Sequence, residues 1–207
     1  MRIAIIGAGN VGVALTRNLA SAGRDVVVGT RDPAGASATA ARERLGPVPV
    51  TGIPEALDGA GVAILAVPGV AVDDLLAAHG AALDGKLVID AANRIGDSLG
   101  DRAVMNSLAQ IEASAPAAAV YRAFNSLGWE NFADPVLDGV QADLLFAGPD
   151  SRRDEVEQLI ADVGLRPVFV GGLDKAPLVD AVAALWGALA FGQGMGRRLF
   201  LKVIAPG

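Results

Sequence analysis

The chain of 207 residues has no cysteine, one histidine, one tyrosine and three lysines. Without cysteine there is no disulfide, thiolate nucleophile, Cys-ligated zinc or iron–sulfur cluster. With His79 as its single histidine, histidine-rich metal sites are excluded too, and no metal site is expected. Basic residues are in the minority, 17 Lys and Arg against 23 Asp and Glu, for a formal net charge of −6. That balance offers nucleic acid no basic stripe, though it permits a local site for one phosphate group. No apolar run reaches a membrane span. The longest, near Ala181 to Met195, is broken by Gly187, Gly192 and Gln193 and falls short of about 20 residues. The first residues, Met1-Arg2-Ile3-Ala4-Ile5-Ile6, enter a glycine loop directly and have no signal-peptide character. A cytoplasmic protein without membrane or nucleic-acid partners is the expectation.

What is abundant is apolar material, 52% of the residues, enough for a folded core. Short apolar runs at 3–6, 26–28, 48–50, 62–67 and 87–89 predict strands. Helical patterns lie between them at 11–22, 36–45, 54–57 and 72–78. Near-continuous apolar strands with helical connections indicate a parallel sheet covered on both faces, hence a doubly wound Rossmann α/β fold. Beyond Asn93 the spacing predicts a helix over 104–113 and strands at 120–124, 144–146 and 168–170. A charged helix is expected after Gly148-Pro149-Asp150-Ser151, and a glycine-interrupted helical tail from Leu173 to about Val203. The expected division is a dinucleotide-binding Rossmann domain over 1–124 and a small C-terminal α+β lobe over 125–207. The lobe would close the substrate site and supply an oligomer contact.

Gly7-Ala8-Gly9-Asn10-Val11-Gly12 fits G-x-G-x-x-G. The pattern alone is weak, but here it follows an apolar strand and opens an amphipathic helix, with a second strand at the right distance. The first glycine permits the tight turn, the second lets backbone approach a pyrophosphate, and the third allows close helix–strand packing. The second strand ends at Gly29-Thr30-Arg31-Asp32-Pro33. Thr30 and Arg31 suit the 2′-phosphate of NADP, through one short hydrogen bond and one charge-assisted fork. Asp32 would act as the NAD-type acid on the ribose if the register slipped; its alternative is a pair with Arg31 on a solvated turn. Val67-Pro68 and Asp90-Ala91-Ala92-Asn93 end the fourth and fifth strands, where ligands of open α/β sheets bind, so Val67, Pro68, Ala91 and Asn93 should border the nicotinamide half. Asn93 is read either as a partner of the carboxamide or as a turn residue.

No acid–base constellation is visible. His79 precedes Gly80 at a helix end, where it serves as a C-cap. Lys86, Lys175 and Lys202 lack a catalytic setting, and Tyr121 lies inside a strand without a Tyr-x-x-x-Lys arrangement. Carbonyl reduction calls for a proton donor near the developing alkoxide, whereas hydride transfer between two ring cofactors needs chiefly stacking and alignment. The sequence suits the second chemistry, with no catalytic residue assigned.

The glycine loop, Val28-Gly29-Thr30-Arg31, Val67-Pro68, Ala123-Phe124-Asn125 and Gly192-Gln193-Gly194-Met195-Gly196 together resemble the NADP-dependent oxidoreductases that use the deazaflavin coenzyme F-420. The resemblance runs from Met1 to about Val203. It implies that Thr30 and Arg31 hold the 2′-phosphate, that the 7–12 loop holds the pyrophosphate, and that hydride passes between nicotinamide C4 and deazaflavin C5. Asn125, Gly194, Met195 and Gly196 would border the second ring, which makes deazaflavin, or a flavin, the co-substrate. The alternative for the tail is a glycine-kinked helix packed on a neighbouring subunit. The polar run Asp90-Ala91-Ala92-Asn93-Arg94 departs from the proline-containing apolar stretch of the archaeal enzymes, and the turn over 125–131 also differs from theirs.

Two other functions remain open on the sequence: an NADPH-dependent reductase of a small carbonyl or imine, and a dinucleotide sensor without turnover. Leu185, Trp186, Leu189, Phe191 and Phe200 offer apolar surface for a homo-oligomer, with a dimer favoured.

Overall fold

A computed structural model describes residues 1–94 and 105–205. Strands and helices alternate through the first part: β1 (Arg2–Ile6), α1 (Asn10–Ser21), β2 (Val26–Thr30), α2 (Ala36–Leu45), β3 (Val50–Gly52), α3 (Ile53–Leu57), β4 (Ala60–Leu65), α4 (Val72–His79), β5 (Leu87–Asp90), α5 (Leu108–Ser114) and β6 (Ala119–Arg122). The second part adds α6 (Glu130–Ala133), the short strands β7 (Val136–Leu137) and β8 (Val140–Gln141), β9 (Asp143–Ala147), α7 (Arg153–Asp162), β10 (Arg166–Gly171) and α8 (Ala176–Gly187). Eight strands form one sheet in the order β10-β9-β6-β5-β4-β1-β2-β3. Every pairing is parallel except β6 with β9, which meet through Arg122 and Ala147. This is the doubly wound α/β fold that the apolar runs predict.

The two faces of the sheet explain those runs. Ile3 and Ile5 of β1 bury into the core beneath α1, while Ala4 and Ile6 bury into the core beneath α3 and α4. A strand with helices on both sides has no solvent face, so alternation disappears and each residue is apolar. The order reverses between β1 and β4, because β2 and β3 lie on one side of β1 and β4 to β6 on the other. In open α/β sheets ligands bind at such a switch, beyond the carboxyl ends of the strands.

Three expectations are corrected. The helix expected over 104–113 is observed as Leu108–Ser114, with residue 104 outside the described residues. The hairpin of β7 and β8 was not expected, although Leu137-Asp138-Gly139-Val140 carries its signal. Asp138 and Gly139 have φ of 50° and 78°, the backbone of a two-residue primed turn. The tail expected to be helical to about Val203 is helical only to Gly192. Gly194 and Gly196 take φ of 67° and 78°, which no right-handed helix accommodates, and the chain continues as irregular backbone.

The helical run Leu173–Gly192 is 20 residues long with mean hydropathy 1.3, sufficient by length and composition to cross a membrane. Here α8 lies on β9 and β10 and buries Ala176, Val179, Asp180 and Ala183. About a third of that run is buried, including the Asp180 carboxylate on the face that packs on the sheet.

A Cβ on Gly12 would collide with the carbonyl oxygen of Gly7, so α1 can cross the end of β1 only where position 12 has no side chain. Gly12→Ala is expected to destabilise the fold by about 1–3 kcal/mol through overpacking. Urea unfolding measures it, and an unchanged midpoint would show that the loop yields freely.

Candidate functional site

Three glycines build the first part of the groove, each for a different reason. Gly7 has φ of 129°, and a Cβ there would strike the carbonyl oxygen of Ala66 at the end of β4. It therefore lets the loop after β1 pass against Val67. Gly9 is the opposite case: no heavy atom lies within 4 Å of its Cβ position, so the loop presents bare backbone to open space. No side chain caps the first turn of α1, whose N–H groups and positive dipole end face the same opening. Together these features fit a pyrophosphate. Ala8 and Val11 are half-buried beside them. The side chain of Asn10 is taken by Arg44 of α2, whose Nη1 donates to Asn10 Oδ1 at 3.0 Å. Arg44 went unnoticed in the sequence because α2 meets the loop only through the fold.

At the tip of β2, Thr30 is half-buried and Arg31 is exposed at the groove edge. The Asp32 carboxylate is turned back on its own loop, where Oδ1 accepts from the Ala34 N–H at 3.1 Å. It neither pairs with Arg31 nor extends toward a ribose.

Beyond β4 and β5 the loops touch. A Cβ on Gly69 would lie 2.6 Å from the Asn93 carbonyl carbon, so the segment after Pro68 seats directly on Asn93. Ala91 and Ala92 are buried under this contact. The Asn93 amide is engaged at both ends: Nδ2 donates to the Asn125 carbonyl at 2.8 Å, and Oδ1 accepts from Arg122 Nη2 at 2.7 Å. Those bonds favour its reading as a turn residue.

Arg122 and Asp180 are the residues the sequence reading missed. The Arg122 side chain is wholly buried. Its Nε donates to Asp180 Oδ1 at 2.8 Å, and its Nη1 reaches the carbonyls of Asp90 at 3.0 Å and Ala92 at 2.5 Å. Asp90 Oδ2 lies 3.3 Å from the same guanidinium. Burial pushes the Asp90 carboxyl up, opposed by the Arg122 charge and by N–H bonds from Ser107 and Ala92. Asp180 also accepts from Asn106 Nδ2 at 2.6 Å and from Asn125 Nδ2 at 3.2 Å. Asp180 lines a separate cavity of about 410 Å³ between α5 and α8, floored by Met105 and Ala176 and away from the glycine loop. The signals were present: an arginine inside the strand Ala119–Arg122, and an aspartate on an otherwise apolar helix.

The second-substrate residues fall in two places. Asn125 follows β6 and is buried. Phe124, just before it, has φ of 61°, a left-handed backbone costly for an aromatic residue. Gly194, Met195 and Gly196 lie exposed in the tail. The tail reaches the turn over 125–131 through Asn131 Nδ2, which donates to the Arg197 carbonyl at 3.0 Å, and through an ion pair of Arg197 with Glu130 at 2.6 Å.

The three lysines and the tyrosine each have a structural partner. Lys86 Nζ donates to the Ala60 carbonyl at 2.6 Å, Lys175 pairs with Asp174 at 2.7 Å, and Lys202 pairs with buried Asp143 at 2.6 Å. Tyr121 donates from beneath the sheet edge to a backbone carbonyl, Pro149 or Ser151, and burial pushes its phenol up to about 12. His79 ends α4 beside Gly80, as expected.

Arg122→Met would leave two carboxylates buried without their cation, an expected loss of about 3–5 kcal/mol. A carboxyl whose folded pKa is raised is destabilising once pH exceeds its ordinary unfolded value, so the deficit should shrink as pH falls below neutral. Denaturant unfolding at a series of pH values checks this; a deficit independent of pH would assign the loss to packing alone.

Comparisons with known proteins show the family. The family model described as NADP oxidoreductase coenzyme F420-dependent matches residues 2–94. The F420-dependent NADP reductase of Methanothermobacter marburgensis is 31% identical over 204 residues, covering 89% of this chain and 90% of that protein. The enzyme of the same description from Methanothermobacter thermautotrophicus is 31% identical over 203 residues, covering 89% and 87%. Among solved structures, a putative F420-dependent NADP-reductase from Arthrobacter sp. FB24 superposes with a TM-score of 0.84 at 25% identity, covering 99% of this chain and 100% of that one. On this likeness across nearly the whole chain, the protein belongs to the F420-dependent NADP oxidoreductase family.

Proposed function

We propose that this protein, an NADP-dependent oxidoreductase by family, transfers hydride between NADP(H) and a deazaflavin without a dedicated acid or base. The observation that carries the nucleotide half is the strand tip, where Arg31 is exposed and has no partner among the described residues, beside Thr30, while Asp32 is folded into its own turn. An acid on the ribose hydroxyl is absent there, and a guanidinium is available for a 2′-phosphate. The glycine loop receives the pyrophosphate, with Gly7, Ala8, Gly9, Asn10, Val11 and Gly12 as its wall. Val67, Pro68, Ala91 and Asn93 border the nicotinamide. Asn125, Gly194, Met195 and Gly196 border the acceptor ring.

The acceptor half rests on the names of the relatives and on the engaged lysines and tyrosine. When bound, the two rings supply the chemistry: hydride leaves nicotinamide C4 for deazaflavin C5, and solvent provides the proton that completes reduction. What the chain supplies is alignment and exclusion of water. In this division of labour residues 1–124 hold the dinucleotide and residues 125–207 close over the acceptor. Of the residues expected at an oligomer contact, Trp186 is buried in the core and Leu189 and Phe200 are half-buried, which leaves exposed Leu185 and Phe191, with Leu178, as the apolar surface for a cytoplasmic homodimer.

Mixing the protein with NADPH and oxidised deazaflavin without oxygen should bleach the deazaflavin, with NADH far slower. No bleaching by protein that binds NADPH would redirect the search to small carbonyl or imine acceptors. Arg31→Ala should weaken NADPH binding by about 1.5–3 kcal/mol and leave NADH nearly unchanged. Equal losses for both would sink the 2′-phosphate assignment. Gly9→Ala should weaken both nucleotides without lowering thermal stability, since its side chain meets open space; titration and a melting curve on one sample separate the two effects.

A further inference from the structure

Four of the five buried side-chain atoms that lack a hydrogen-bond partner among the described residues fall in one turn: Asn125 Oδ1, Ser126 Oγ, Glu130 Oε2 and Asn131 Oδ1. Buried polar atoms are nearly always partnered, so such a concentration marks a place where a partner arrives. Asn125 is the informative member because its amide cannot turn over. Its Nδ2 faces Asp180 Oδ1 at 3.2 Å, and a carboxylate is acceptor only, so nitrogen must be on that side and oxygen on the other. Asp180 is itself held by Arg122 at 2.8 Å and by Asn106 at 2.6 Å. The left-handed Phe124 delivers this side chain to the carboxyl end of β6, in line with the ends of β4 and β5. Neighbouring Asn93, the other amide at the strand ends, is already engaged at both of its own ends.

We propose that Asn125 Oδ1 accepts a hydrogen bond from an amide N–H of a ring bound in the groove, and that Asp180 is the positioning residue that keeps this oxygen on the side away from itself. The inference rests on the reading of the groove as the place where the two rings stack. Two rings carry such an N–H: the nicotinamide, in its carboxamide, and the deazaflavin, in the N3–H of its pyrimidinedione. Oδ1 is buried in the unliganded chain, so the donor reaches it only when the residues over it move on binding.

The test measures affinity, so it does not depend on turnover. Calorimetric titration compares NADP+ with its 3-acetylpyridine analogue, which lacks the carboxamide N–H, and compares the deazaflavin with its N3-methyl derivative. In the unaltered protein one of the two pairs should differ by about tenfold or more, the scale of an unsatisfied buried acceptor. In Asn125→Ala that ratio should fall to near one, while affinity for the analogue changes little. A general structural loss would weaken both members of the pair and leave their ratio intact. Asp180→Asn keeps the shape but frees the amide to turn, and should bring the same ratio to an intermediate value. The pair that responds identifies the ring. Ratios near one in the unaltered protein, or ratios unmoved by Asn125→Ala, would overturn the proposal and leave a bound water as the partner of Oδ1. A ratio that collapses in Asn125→Ala but stays whole in Asp180→Asn would remove Asp180 from it. Failure of the unaltered protein to bind NADP+ at all would instead bring down the reading of the groove, and this inference with it.

Discussion

A single buried cation organises the carboxyl ends of the central strands. Arg122 lies between Asp90, at the end of β5, and Asp180, on the helix that covers β9 and β10. One guanidinium against two carboxylates leaves an excess of negative charge in a dry interior, which would be untenable without the N–H groups that converge on both acids. Ser107 and Ala92 supply them to Asp90, and Asn106 and Asn125 supply them to Asp180. The cluster therefore joins segments far apart in sequence, and the groove floor inherits its geometry from it. An apolar core of equal volume would hold the same elements together, but it would not orient an amide.

The other half of the groove depends on missing side chains. Gly7 and Gly12 let the loop, β4 and α1 approach closer than any Cβ permits, and Gly9 leaves backbone bare where a charged group must come near. This division is physical. Phosphates are recognised by backbone N–H groups and a helix terminus, which need only proximity, so small residues suffice. A planar ring is recognised by donors and acceptors at set directions, which need side chains locked by others, so the polar network is found at β5 and β6. In the proposed function the dinucleotide spans the two regimes.

Much of this was legible in the sequence. The glycine loop, the apolar strands and Thr30-Arg31 are local signals, each complete within a few residues; the strands form as expected, the loop follows β1 and Thr30 ends β2. The Asp138-Gly139 hairpin was equally local and was passed over because its strands are only two residues long. The tail was misread for a different reason. Its composition is helical and apolar, but two glycines in left-handed backbone end the helix, and the rest is held by Arg197 and Arg198 to Glu130 and Asp134 and by Lys202 to buried Asp143 of β9. Such contacts cross more than 50 residues of chain and leave no periodic trace.

By itself, then, the sequence determined the parallel α/β class, the glycine loop and the charge at the second strand's tip, because hydrophobic period, glycine spacing and strand-end chemistry are properties of short segments. Only the tertiary structure decided which polar residues are spent and which are available. Asn93 and Asn125 look alike in sequence, both asparagines just beyond a strand. Asn93 is engaged by Arg122 and the Asn125 backbone, whereas Asp180 holds the Asn125 nitrogen and leaves its oxygen without a donor. That difference is made by an aspartate 55 residues away, brought near by the packing of a helix on the sheet.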